Sequence, residues 1–212
     1  MHAFGELAAR LAEVGRSFAG RGWVLGTSGN LSAVLSREPL RLAITASGRD
    51  KGSLETDHFL EIDGAGRVLS GAGRPSDEAP LHLAIVAGRE AGAVLHSHSV
   101  WGTLLSEACA AEGGVRLSGW EMLKGLAGVA THEHVEWIPI LQNSQDYAAL
   151  SASVGQALRA HGSCHGLLLR GHGLYAWGRD LEEARRHVEV FEFLFEVEGR
   201  RGRFDGRTPW PS

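Results

Sequence analysis

The run Ala93-Val94-Leu95-His96-Ser97-His98-Ser99 joins a short aliphatic stretch to an alternating His/Ser pattern. The aliphatic part predicts a buried strand over Ala93–His96, and His96 and His98 follow at its end with the i, i+2 spacing that points two side chains to one face. Upstream, Pro75-Ser76-Asp77-Glu78 predicts a helix entry, with Ser76 as N-cap, acidic groups in the first turn, and Leu81, Ile85 and Val86 on the buried side. Downstream, a helix is expected from about Val100 to Ala111. Helix, strand and helix in succession set the pattern for the rest of the chain.

Outward from this unit the same alternation recurs. Phe4, Leu7, Ala8, Leu11, Val14 and Phe18 define one face of a helix over residues 3–19, ended by Gly20-Arg21-Gly22. Short strands are expected at Leu31–Leu35, Leu40–Thr45 and Phe59–Ile62, separated by Gly- and Ser-rich turns. After a Gly-rich turn, Trp120–Leu126 reads as a short helical piece ahead of a strand at Trp137–Leu141. Asp146–His161 reads as a helix, Leu167–Arg170 and Leu174–Trp177 as neighbouring strands, and Asp180–Glu198 as a long helix with Leu181, Ala184, Val188, Phe191 and Phe195 along one side. Interleaved strands and helices imply an α/β layered fold, with one domain over residues 1–198 and an Arg/Gly/Pro tail over 199–212 that is mobile or crosses a subunit boundary.

The 212 residues carry 25 acidic and 21 basic side chains, a formal net charge of −4, with no Lys/Arg tract. Nucleic acid and anionic membrane surfaces both need clustered positive charge, so neither is expected as a partner. No run approaches eighteen apolar residues and the N-terminus lacks the pattern of a secretion signal, so a cytoplasmic location is expected. Cys109 and Cys164 lie far apart without CxxC spacing and read as reduced, buried thiols. Gly, at 29 residues, is nearly twice its usual ~7 %, and Lys51 and Lys124 are the only lysines.

Several residue groups can carry chemistry. His96 and His98 can place two imidazoles on one ion, and His172, in the turn Arg170-Gly171-His172-Gly173, is a candidate third ligand. Three histidines with an open position would suit a catalytic zinc; an ordinary strand end and turn is the other reading. His132 and His134 share the i, i+2 spacing without a third partner and read as solvated or supporting groups. The turns Gly26-Thr27-Ser28-Gly29-Asn30, Thr45-Ala46-Ser47-Gly48 and Gly73-Arg74-Pro75-Ser76 can each cradle an anion or serve as plain β-turns. None is a Walker or dinucleotide motif. Lys51 is either a phosphate counter-charge or a solvated surface group. Glu78 is a dipole partner of its helix or a functional carboxylate. Glu121, among bulky apolar neighbours, has either a raised pKa suited to proton transfer or one lowered by Lys124.

In order, Gly26-Thr27-Ser28-Gly29-Asn30-Leu31-Ser32, Ile44-Thr45-Ala46-Ser47-Gly48, Arg74-Pro75-Ser76-Asp77-Glu78, His96-Ser97-His98-Ser99 and Arg170-Gly171-His172-Gly173 resemble the class II aldolase/adducin family over roughly residues 5–197. Within it, Trp120–Leu126, Thr131-His132-Glu133, Ile138-Pro139-Ile140 and Asn143-Ser144-Gln145-Asp146 are similar to the family's dehydratase branch. The resemblance implies a three-layer α/β/α fold around a mixed, largely antiparallel sheet, one Zn2+ per subunit on His96, His98 and His172, and a homotetramer with active sites near subunit boundaries. It implies loss of water from 5-methylthioribulose 1-phosphate to give 2,3-diketo-5-methylthiopentyl 1-phosphate, a step of methionine salvage. Gly29, Asn30, Ser47, Gly48, Lys51 and Ser76 would hold the phosphate. The acid/base would be Glu121 by resemblance to the dehydratases and Glu78 by resemblance to the aldolases. An aldolase or 4-epimerase of the same fold and a non-catalytic adducin-like interaction module are the competing expectations.

Overall fold

In a computed structural model, which describes residues 2–204, helices cover both faces of a nine-stranded sheet. The elements in chain order are α1 (His2–Gly20), β1 (Asn30–Arg37), β2 (Leu40–Thr45), β3 (Phe59–Asp63), β4 (Val68–Ser70), α2 (Ala79–Arg89), β5 (Ala93–Ser97), α3 (Val100–Ala108), β6 (Gly114–Ser118), β7 (Val135–Leu141), α4 (Tyr147–Ala160), β8 (Gly166–Leu169), β9 (Gly173–Gly178) and α5 (Leu181–Phe204). Strand order is β4-β3-β2-β1-β5-β9-β8-β7-β6, and every neighbouring pair is antiparallel except β7 with β8. The expected mixed, largely antiparallel sheet is present.

Period-2 alternation sorts the strand residues between two cores. Ala93 and Leu95 of β5 and Leu174 and Ala176 of β9 pack under α1, α3 and α5, while Val94, Tyr175 and Trp177 pack under α2 and α4. Both faces are apolar, so the central strands are buried from end to end and the sheet is the middle of three layers.

Several local expectations need correction. Ser76 does not cap α2: the helix starts at Ala79 with Glu78 at its N-cap position, and Ser76 Oγ accepts a hydrogen bond from the Glu78 N–H at 3.3 Å. Pro80, next in line, favours the first helical turn, where no N–H is missed, and this sets the start two residues later than Ser76-Asp77 suggested. Helix α3 stops at Ala108, short of Ala111, and part of the Gly-rich segment after it is strand β6. Helix α5 does not end at Glu198 but runs through Gly199 to Phe204. At Gly199 an added Cβ would lie 2.3 Å from the Trp101 ring, so this glycine permits close packing of α5 on α3 and does not stop the helix. The remainder of the expected tail, 205–212, lies outside the described residues.

Gly92 precedes β5 and hydrogen-bonds to Gly178 across the sheet, where a Cβ would fall 2.0 Å from the Arg179 carbonyl. Gly5, inside α1, faces open space. Gly92→Ala is therefore expected to destabilise the chain by about 1–3 kcal/mol or more and Gly5→Ala to stabilise it by about 0.5–1 kcal/mol, as read from urea unfolding midpoints.

Candidate active site

The C-terminal ends of β5 and β8 lie side by side with the start of β9 between them, which brings His96 and His98 against the β8–β9 turn that carries His172. Their Nε2 atoms converge: His96 to His98 is 2.8 Å, His98 to His172 is 3.2 Å and His96 to His172 is 3.3 Å. His96 is fully buried, stacks on Tyr175 at 3.9 Å between centroids, and donates its Nδ1 proton to the Leu174 carbonyl at 2.9 Å. His172 directs Nδ1 at Asn143 Oδ1, 3.3 Å away. With their protons committed at Nδ1, both rings turn Nε2 lone pairs to one point, as metal-bound histidines do. A tetrahedral zinc with bonds of about 2.0–2.1 Å requires nitrogens about 3.3–3.4 Å apart; the His96–His172 separation matches and the His98–His172 separation lies just below it. These three histidines can hold a metal ion. Burial pushes His98 down to about 4 and His96 well below its ordinary value, with the neighbouring imidazoles adding to the effect, so both offer neutral donors.

Glu78 closes the fourth side. Its Oε1 is 3.2 Å from His172 Nε2 and its Oε2 is 3.7 Å from His96 Nε2. Burial alone would raise this carboxyl, but the adjoining His172 and His96 rings and a 2.6 Å hydrogen bond from Asn30 Nδ2 hold it well below the usual range. Asn30 is oriented from behind by His82, which accepts from Ser32 Oγ at 2.7 Å on Nδ1 and donates from Nε2 to Asn30 Oδ1. Burial holds His82 down to about 4, hence neutral. His82 was not among the sequence candidates, although its i+4 spacing from Glu78 on an amphipathic helix was a usable signal.

All three anion-type turns border the same cleft of about 130 Å³. Gly29 and Asn30 come from the first turn, Ser47 and Gly48 from the second, and Ser76 from the third, with Glu78, His98 and Lys51 alongside. Gly29 has φ +72°, and a Cβ there would meet the His96 carbonyl at 2.6 Å, so only glycine lets this turn approach the histidine strand. Lys51 is not a solvated surface group: it is 1 % exposed, donates to the carbonyls of Thr27 and Arg49 at 2.8 and 2.6 Å, and is pushed down to about 8 by burial against the pull of Asp50 and Glu78.

Glu121 does not join them. It lies in a 3-10 helix (Glu121–Gly125) after β6, exposed, with Lys124 Nζ at 2.7 Å and His132 Nδ1 at 3.8 Å. Its carboxyl is lowered, chiefly by the Lys124 hydrogen bond, which resolves the two sequence readings in favour of the ion pair. Strand β6 runs antiparallel to β5 at the sheet edge, four ladder steps or about 19 Å away, so its end points away from the histidines.

The segment from Glu121 to His134 is held by a second buried network. Glu136, 1 % exposed, accepts from His134 Nε2 at 2.8 Å and from the backbone N–H of His165 at 2.9 Å, with His165 Nδ1 at 3.1 Å. His165 Nε2 meets the Ala127 carbonyl at 2.9 Å and His187 Nε2 accepts the Ala127 N–H at 3.0 Å, so both backbone groups of one loop residue are gripped. Cys164, buried, and Cys109, half-buried, are both free thiols.

With the fold and the histidine centre in view, residues 9–198 match the family described as Class II Aldolase and Adducin N-terminal domain, and the chain belongs to that family. A protein of Methylococcus capsulatus named methylthioribulose-1-phosphate dehydratase is 44 % identical over 198 residues, covering 93 % of this chain and 95 % of the relative. One of the same name from Pseudomonas aeruginosa PAO1 is 45 % identical over 194 residues, covering 91 % and 93 %. Among solved structures, an L-fuculose 1-phosphate aldolase superposes with TM-score 0.77 at 25 % identity, covering 94 % of this chain and 87 % of its own. The Thermus thermophilus enzyme of that name gives TM-score 0.77 at 24 % identity, covering 96 % and 98 %. No described helix is long and apolar enough to cross a membrane.

Burial opposes charge on both members of the Glu136–His165 pair, yet their mutual contact lowers Glu136 from 4.5 and raises His165 from 6.5. The carboxylate contribution is present above 4.5 and lost on acidification; the imidazolium contribution is present below 6.5 and lost as pH rises through the raised value. Wild type is expected to exceed Glu136→Gln in stability by about 1–3 kcal/mol near pH 5.5, with the gap narrowing on either side, as measured by denaturant unfolding across pH.

Proposed function

We propose that the chain is a hydro-lyase that removes water from 5-methylthioribulose 1-phosphate to give 2,3-diketo-5-methylthiopentyl 1-phosphate, in methionine salvage in the cytoplasm. The observation that carries this reading is the convergence of three histidine Nε2 atoms beside three anion-binding turns, in a chain aligned nearly end to end with relatives named for that dehydration. Zn2+ suits the all-imidazole donor set, with Glu78 close enough to share it. Bound there, the metal would supply Lewis-acid polarisation of the substrate ketone, which acidifies the neighbouring C–H.

The chain's own residues do the rest. The Gly48 N–H and the side chains of Ser47, Asn30, Ser76 and Lys51 hold the phosphate, fixing which carbon faces the base. Glu121, kept ionised by Lys124, takes the C3 proton; the C3=C4 double bond forms as the C4–O bond breaks. The proton taken from C3 joins the departing hydroxyl to make water, and the enol loses its O3 proton as C4 gains one, giving the diketone. Because Glu121 stands at the opposite end of the sheet from its own histidines, it serves the cleft of a neighbouring copy. Such a head-to-tail contact closes a ring, in line with a homotetramer.

Subunit mixing tests this placement. Glu121→Gln and His96→Ala are each expected to lower dehydration by at least about 100-fold, and their co-assembly to restore about a quarter of wild-type activity, because an intact cleft needs one residue from each chain. Near-wild-type turnover by Glu121→Gln, with loss in Glu78→Gln, would transfer the role to Glu78, whose place against His172 is the feature an aldolase or epimerase would use. In a separate measurement, chelation is expected to abolish water loss and added Zn2+ to restore it; full activity in a metal-free preparation would overturn the metal assignment.

A further inference from the structure

Behind the histidine strand, on the face of β5 turned to α5, a carboxyl is buried with no cation beside it among the described residues. Glu192 is 3 % exposed, and its Oε1 accepts a hydrogen bond from Ser97 Oγ at 2.7 Å. Among the described residues no charged neighbour shifts this carboxyl, and its Oε2 has no hydrogen-bond partner. Burial pushes this group up to about 7 against the pull of the Ser97 and Ser99 hydroxyls. An unpaired carboxyl in such a place is costly to bury, and the catalytic scheme above gives it no task.

Its partners supply one. Along His96-Ser97-His98-Ser99, alternation sends the two imidazoles to one side and the two hydroxyls to the other. Ser99 is also the N-cap of α3, accepting from the Gly102 N–H at 2.9 Å, while the His98 N–H is tied to the Trp23 carbonyl at 2.7 Å. His96 and His172 are each steered by a bond from Nδ1, but among the described residues nothing bonds Nδ1 of His98. The His98 ring therefore takes its position from the backbone of residues 97–99, the segment that Glu192 grips at Ser97.

We infer that Glu192 is a positioning residue of the metal centre: through Ser97 it locks the strand-to-helix turn so that His96 and His98 present their Nε2 atoms together before any ion arrives. The inference rests on the metal-centre reading proposed above. It deepens that reading by adding a residue that touches neither metal nor substrate.

The experiment is a Zn2+ titration of chelator-stripped full-length protein, by competition with a chromophoric chelator, with thermal unfolding of each apo form as the control for folding. Glu192→Ala is expected to bind Zn2+ about 10–100-fold more weakly than wild type. Glu192→Gln, which keeps an acceptor for Ser97, is expected to stay within about 3-fold. Should Glu192→Ala fail to fold, Ser97→Ala cuts the same link from the other end and is expected to weaken binding about 10-fold. Unchanged affinity in the alanine variant, or in Ser97→Ala where that replaces it, overturns the inference alone. So does an equal loss in Glu192→Ala and Glu192→Gln, which would assign the effect to charge and not to the serine clamp. Absence of Zn2+ binding by wild type overturns the metal reading and the inference together.

Discussion

The hydrogen bond from His96 Nδ1 to the Leu174 carbonyl ties the chemistry to the sheet. It crosses from β5 to β9, the pair at the middle of nine strands, and it is possible only because His96 faces Tyr175 in register. A one-residue slip would turn His96 toward α5 and put Ser97 in its place, since strand side chains alternate strictly. Register is defended from both sides: apolar residues fill the layer above and the layer below, and Gly173 lies so close to the Ser97 carbonyl that a Cβ would meet it at 2.0 Å. The site is thus a consequence of packing that begins far from it.

The cleft that faces these histidines is built from short connections. Its three turns come from three separate places in the first eighty residues, and each alone is an ordinary turn. Antiparallel pairing of β1 with both β2 and β5 gathers them at one end of the sheet, where Lys51 is buried among them and supplies positive charge in a chain that is otherwise mildly acidic. In the function proposed above, this arrangement handles a single phosphate locally and needs no basic surface.

Much of this was legible in the residues themselves. The helices carried strong apolar periodicity, and β5 and β9 read as strands because both are buried and free of turn formers within their apolar runs. Two strands escaped notice for physical reasons. All three residues of β4 are exposed, so no burial pattern marks it, and β6 opens on the glycine pair Gly113-Gly114, which mimics a turn. Each phosphate and metal candidate was visible from its residue type, but their meeting in one cleft depends on strand order, which local patterns do not encode. His82, Glu136 and Glu192 were hidden for a further reason: a buried polar group reveals itself by its partners, and the partners that hold these three lie mostly 29 to 95 positions away.

With the role proposed for Glu121, the opposed directions of β5 and β6 would give each subunit a receiving end and a donating end. In a closed ring of such subunits, as proposed for Glu121, activity becomes a property of the contact between chains and not of any one of them. Specific activity then falls on dilution below the concentration at which the ring dissociates, even while every subunit stays folded. A surface substitution that opens the contact resembles, in an assay, the loss of the base itself.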